Sequence, residues 1–285
     1  MPIDFSKVTF VYNRRSPFQY EALHEVNLHL DEGKFIALVG RTGSGKSTLI
    51  QHLNALLSPT EGDVTIDEFV NSSDKHKRSK KLKDLRKKVG LVFQFPEYQL
   101  FEETVEKDVA FGPKNFGYSK DLSTQLAHES LTTVGLDASF YERSPFELSG
   151  GEKRKVAIAG ILALDPDILV VDEPTAGLDP EAARETMELF EKIHQRGKTI
   201  ILVTHDMNIV SQYAEEVVVM DNGKVAEVGT PEEIFSHPIS QYSLEMPLLY
   251  ETARQLNEKG YKLNEKKIKN IDDLASAIAE GRKER

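Results

Sequence analysis

The chain has 285 residues, 39% of them apolar and none of them cysteine, with a formal charge of −10. That apolar share supports a sizeable core in one large domain or two modest ones and excludes wholesale disorder. The missing cysteine excludes disulfides and cysteine-built zinc sites and suits a reducing cytoplasm, and the acidic balance disfavours general nucleic-acid binding.

The opening segment, MPIDFSKVTFVYNRR, lacks the apolar stretch of a signal peptide. Val8 to Tyr12 and Ala22 to Leu30 alternate apolar and polar residues, which predicts strands of an antiparallel sheet. Between them Asn13 to Tyr20 holds Pro17, two arginines and two aromatics, and reads as a loop or an extended hairpin. Phe35 to Val39 is a compact apolar run, expected as a buried strand. A glycine-rich turn leads into Lys46 to Leu57, where Leu49, Ile50, Leu53, Leu56 and Leu57 recur at helical spacing until Ser58-Pro59.

Nine lysines and arginines crowd Lys75 to Lys88, with Leu82, Leu85 and Val89 at helical intervals. The run reads as a solvated helix face, or else as a contact with phospholipid or nucleic-acid phosphates. Val89 to Phe93 is again strand-like, and Pro96 to about Ser144 turns helical and polar, punctuated by Gly112-Pro113 and Gly117. Two apolar runs follow, DILVVDEP and TIILVTHD, separated by a helix from Pro180 to about Gln195. Strand, helix, strand with buried runs predicts an α/β fold around a parallel sheet. The longest apolar runs fall far short of the ~18 residues that span a bilayer. Work at a membrane would therefore go through a partner. After Ser236 the composition changes to a small appendage with helical signals at Ile268, Ile271, Leu274 and Ile278.

Gly40, Arg41, Thr42, Gly43, Ser44, Gly45, Lys46, Ser47 and Thr48 fit the phosphate-loop pattern G-x-x-x-x-G-K-[ST]. Glycines let the backbone fold tightly enough for several N–H groups to converge on phosphate oxygens, and the following helix adds the positive end of its dipole. Lys46 would reach the β- and γ-phosphates, and Ser47 would offer its hydroxyl to Mg2+. Chance puts such a match in roughly one chain of this length per hundred, but the placement between a predicted strand and helix points to ATP. Asp172 and Glu173 close the apolar run from Ile168, at the strand end where α/β sheets bind ligands. Asp172 would hold the metal directly or through its water; Glu173 faces the other way and would take the proton of the attacking water.

Leu148, Ser149, Gly150, Gly151 and Glu152 narrow the field, since a chance LSGGE is on the order of one in a thousand chains or rarer. The pentapeptide resembles the signature of ABC-type ATPases, and the other elements stand in that family's order. Gln94 resembles the Q-loop glutamine, which also helps hold the metal. Ala176 to Asp179 resembles the D-loop, with Asp179 its acidic residue, and His205 resembles the switch histidine. The resemblance implies a mixed-sheet ATP-binding core from residues 1–94 and 156–235 with an N-terminal antiparallel β subdomain. It also implies a helical subdomain, 95–155, and leaves 236–285 as the appendage. It further implies two such domains packed head to tail, so that Ser149 and its neighbours grip the γ-phosphate in the partner's site. Tyr12 is expected to stack on adenine, with Phe18 and Tyr20 as rivals.

Val92 to Phe101, Asp108 to Asn115 and Glu147 to Asp165 resemble, more closely, the ATPase subunits of energy-coupling-factor transporters. These importers take up vitamins and some metal ions. The AGLDP form and the Pro17-Phe18 insertion resemble the second of two A-subunit types, which implies a heterodimer. It also implies a membrane T subunit docked on Phe95, Tyr98, Leu100 and Phe101, the other reading being that these are core residues of the helical subdomain. A separate substrate-binding S subunit and a peripheral place on the cytoplasmic face of the cell membrane are implied with it. The competing readings are a soluble ABC ATPase acting on ribosomes or DNA, and the motor of an exporter or conventional importer.

Overall fold

Two sheets share one core. In the computed structural model, which describes residues 2–264, 268 and 271–283, the first is a four-stranded antiparallel sheet. It contains β1 (Ile3–Tyr12), β2 (Tyr20–Leu30), β4 (Glu61–Ile66) and β5 (Phe69–Ser72), in the order β2-β1-β4-β5. The expected hairpin is present, with Tyr12 paired to Tyr20 across its mouth. β1 starts earlier than the alternation suggests, because Lys7 takes φ +49 and a bulge between Phe5 and Val8 breaks the two-residue period. β4 and β5 are short and mostly polar, so no period announces them.

The second sheet has six strands: β3 (Phe35–Val39), β6 (Val89–Val92), β7 (Ile168–Asp172), β8 (Thr199–Val203), β9 (Glu216–Asp221) and β10 (Lys224–Gly229). Their order is β10-β9-β3-β8-β7-β6, parallel except for the antiparallel edge β10. β3 shows why the central strands read as unbroken apolar runs. Ile36 and Leu38 point into the core shared with the first sheet, while Phe35, Ala37 and Val39 face helices on the other side.

The helix after the phosphate loop, α1 (Lys46–Leu53), stops four residues short of the periodic pattern. Ala55 turns left-handed at φ +52, and Leu56 N and Leu57 N both donate to Gln51 O, leaving Leu56 exposed. In the lysine-rich run only α2 (Leu82–Lys88) is helical, seated on buried Leu85. Its cations are tied locally: Lys88 to Asp67 at 2.5 Å, Arg86 to Asn54 O, and Lys83 to Asn115 O. The helical region contributes α3 (Val105–Asn115) and α4 (Lys120–Thr133), which pack with α5 (Gly150–Leu162). α5 runs on beneath the central sheet, where Ile158 and Ala159 are buried with Val171 and Leu202.

α6 (Pro180–His194) and α7 (Met207–Tyr213) complete the central layer, and the short α8 (Pro231–Ile234) follows β10. The appendage carries α9 (Leu248–Glu258) and α10 (Ile271–Lys283). It is docked rather than free: Tyr250 packs on Phe235, and Leu248 N donates to Asn208 Oδ1 at 2.8 Å. Ile268 and Leu274 are buried in its own small core and Ile278 packs against it, whereas Ile271 stays exposed. Among the described residues no helix is long and apolar enough to cross a membrane.

Candidate nucleotide and catalytic site

The phosphate loop is shaped by close backbone approach. Gly45 sits at φ +102 at the head of α1, and a Cβ there would lie 2.6 Å from the Ala22 carbonyl oxygen. Gly40 sits at φ +144, where a Cβ would come within 2.2 Å of the Met220 carbonyl. Only glycine fits either place. We expect Gly45→Ala to destabilise the fold by ~1–3 kcal/mol and to weaken nucleotide binding; melting curves with and without ATP check this. A normal melting temperature and an undiminished ATP shift would contradict it.

No side chain caps α1, so its first N–H groups are left for an anion. Lys46 Nζ spans the loop, donating to Gly40 O at 2.7 Å and Arg41 O at 3.0 Å. Burial pulls its pKa down, against the nearby Glu173 and Asp172; a bound phosphate would offset that penalty. Arg41 turns outward to Asp221 and Asn222, Thr42 and Gly43 are exposed, and Ser44 is buried with its hydroxyl unpartnered. Thr48 Oγ1 lies 3.2 Å from the Tyr12 hydroxyl. Tyr20 also reaches the loop, its hydroxyl donating to Gly43 O at 3.3 Å, whereas Phe18 is 81% exposed.

Opposite stand the acidic residues. Ser47 Oγ donates to Asp172 Oδ2 at 3.1 Å across the end of β7. Burial pushes the Asp172 carboxyl above its ordinary range, opposed by the Ser47 hydrogen bond and reinforced by Glu173. A hydroxyl beside an electrostatically penalised carboxylate is a donor set suited to a hard divalent cation. Glu173 takes the left-handed region at φ +48, uncommon for a residue with a side chain, and its N–H donates to Val203 O at 2.9 Å. Its carboxylate meets His205, with Nδ1 2.8 Å from Oε1. One open cleft of about 410 Å3 is lined by Thr42, Gly43, Gly45, Lys46, Ser47 and Thr48 together with Tyr20, Gln94, Asp172, Glu173 and His205.

The signature residues lie elsewhere. Ser149 is the N-cap of α5 in a reciprocal capping box: its Oγ accepts from Glu152 N, and Glu152 Oε2 accepts from Ser149 N at 2.7 Å. Leu148 is buried as an anchor, while Ser149 and Gly150 are exposed. A Cβ on Gly150 or Gly151 would meet nothing within 4 Å. Asp179 caps α6, accepting from Glu181 N and Ala182 N at 3.0 Å each.

In the segment after Gln94, Phe95, Tyr98 and Phe101 are 38%, 85% and 57% exposed. Leu100 departs from the expected surface role: it is buried and packs with Val105 and Val109, because the extended residue after the Pro96–Gln99 turn points inward. Its place is taken by Phe111, exposed and edge-on to Phe101 at 4.9 Å. The sequence did not single out Phe111, since one aromatic in α3 looks like any core residue.

A family model described as ABC transporter matches residues 23–176. A curated relative from Enterococcus faecalis, energy-coupling factor transporter ATP-binding protein EcfA2, is 49% identical over 98% of this chain and 96% of its own length. The protein of the same name from Lactococcus lactis is 53% identical over 90% of each chain. The chain belongs to the energy-coupling factor transporter ATP-binding proteins, within the ABC transporter family. It is an ABC-type ATPase, and the relatives' name, EcfA2, agrees with the expected second A-subunit type. Among solved structures, cbiO1 from Clostridium perfringens, described as part of the transporter complex cbiONQ, superposes with a TM-score of 0.73 at 32% identity. That match covers 90% of this chain and 96% of the other. The cassette MJ0796, dimeric and bound to ADP and Pi, superposes with a TM-score of 0.70 at 32% identity, over 80% and 98% of the two chains.

Proposed function

We propose that this ATPase powers an energy-coupling-factor importer from the cytoplasmic face of the cell membrane, as one half of an ATPase dimer. One observation carries the dimeric reading. Gly150 and Gly151 open α5, and among the described residues nothing lies within 4 Å of where a Cβ on either would stand. They also stand outside the cleft that holds the phosphate loop. That sterically open helix start, with Ser149 and Gly150 exposed, fits a γ-phosphate presented by a second subunit. Ser149 would donate its hydroxyl there, while its oxygen keeps the cap. The partner is a related subunit of the first A type, which makes a heterodimer.

Within the cleft, Lys46 and the first N–H groups of α1 would hold the phosphates of ATP, with Tyr12 stacking on adenine. Ser47, Asp172 and Gln94 would hold Mg2+, which when bound neutralises charge on the transferred phosphoryl group. Among the described residues no cluster of three or more carboxylates and histidines forms a metal cage, so the ion would be shared with the nucleotide. Glu173 would accept the proton of the attacking water, oriented by His205 from the other side.

Phe95, Tyr98 and Phe101, joined by Phe111, form the surface for the membrane T subunit, and an S subunit separate from this chain selects the vitamin or metal ion. No nucleic acid is involved. The test is a Tyr98→Asp, Phe101→Asp double variant. It is expected to bind ATP normally and to be lost from the solubilised membrane complex. A variant still retained on the membrane subunit would refute the docking surface.

A further inference from the structure

We propose that Arg154 is a positioning residue for hydrolysis: its buried guanidinium ties the aromatic turn at Phe95–Tyr98 to the segment that carries Glu173 and Asp179. Arg154 is 4% exposed, although it stands in the charged run Glu152 to Lys155. Four of the five N–H donors an arginine carries are engaged. Nε and Nη2 bind the two oxygens of Glu97 at 3.2 and 3.0 Å, a bidentate pair, and Nη1 donates to the carbonyls of Pro174 at 3.0 Å and Ala176 at 2.9 Å. The Phe95 ring lies 5.9 Å from the guanidinium carbon, and a Cβ on Gly177 would lie 3.6 Å from that ring. One side chain on the signature helix therefore meets both segments at once.

Those two segments are the ones that matter for the chemistry. Ala176 N donates to Glu173 O at 3.1 Å, so residues 173–176 form one tight turn. Glu173 holds a left-handed backbone that persists only where its surroundings over-determine it, and two of the bonds on this turn come from Arg154. On the other side Glu97 sits between Phe95 and Tyr98, inside the exposed patch. A buried ion pair adds little stability over apolar residues of the same volume. What the planar fork adds is fixed geometry, which a lysine lacks. Displacing the Phe95–Tyr98 turn would drag Glu97, the guanidinium and the two carbonyls together. That last step rests on the reading that the patch docks on a membrane subunit; the positioning of Glu173 does not.

The experiment compares Arg154→Lys, Glu97→Gln and the double variant, each as the full chain with its ATPase partner, alone and assembled with the membrane subunits. Each single variant is expected to keep KM for ATP within about twofold and to lose roughly 10- to 100-fold in kcat. The double variant should be no worse than the poorer single one, because one link is cut only once. An unchanged kcat, a parallel loss of kcat and ATP affinity, or losses that multiply in the double variant would each overturn the proposal. If Arg154→Lys fails to fold, Glu97→Gln, which leaves both carbonyl bonds in place, decides the question. Retention on the membrane subunit is scored separately. A wild-type chain that is not retained defeats the docking reading, whereas the split between kcat and KM, measured without the membrane subunits, still judges Arg154.

Discussion

Glu173→Gln is expected to cut ATP turnover by about 10²- to 10⁴-fold while leaving ATP affinity within about twofold. The amide matches the carboxylate in shape and can still bond to His205, but it accepts no proton from water. The loss corresponds to roughly 3–5 kcal/mol of barrier. Binding is expected to be spared because the phosphates would be held by Lys46 and the start of α1, whereas the Glu173 carboxylate is engaged by His205. The backbone strain at φ +48 is the same for either residue, so folding is not the variable. Phosphate release and nucleotide binding measured on one preparation check the claim, and the variant should accumulate as closed dimer with ATP bound. Turnover near the wild-type rate would remove Glu173 from the chemistry.

Ser149→Arg should disable a site that this chain does not itself contain. The arginine would fill the open space beside Gly150 and Gly151 and block a phosphate presented from outside. It would also remove an N-cap worth ~1 kcal/mol, a modest effect beside it. Combined with loss of the phosphate-loop lysine in the partner, Ser149→Arg strikes the same composite site twice and should be no worse than either change alone. Combined with Lys46→Ala in this chain, it strikes both sites, and hydrolysis should fall to about a hundredth or less. If the two pairings behave in the reverse manner, the signature serves its own chain and the head-to-tail arrangement is wrong.

The central sheet was legible because β3, β7 and β8 are buried on both faces and must read as continuous apolar runs. The phosphate loop was legible because Gly40 and Gly45 leave no choice of residue, and Asp172 and Glu173 because a strand of Ile, Leu and Val that ends in two acids has little other reason to. Harder to see were β4 and β10, whose exposed or half-exposed faces carry no period, and the early start of β1, hidden by the bulge at Lys7. The end of α1 was overrun because a left-handed alanine has no sequence signal. Within the site, the weakest reading was of surface against core. Leu100 and Phe101 are neighbours of equal hydropathic appeal, and only the turn before them decides which faces inward. Arg154 escaped notice for a similar reason, since a cation between two lysines looks solvated until the fold buries it against Glu97.

The most direct test is capture of the tagged chain from detergent-solubilised native membranes, with the retained proteins identified by mass spectrometry. Recovery of a second, related ATPase together with a polytopic membrane protein is the expected result. Recovery of ribosomal proteins or DNA-repair factors with no membrane subunit would contradict the transport role and leave the ATPase cassette without it.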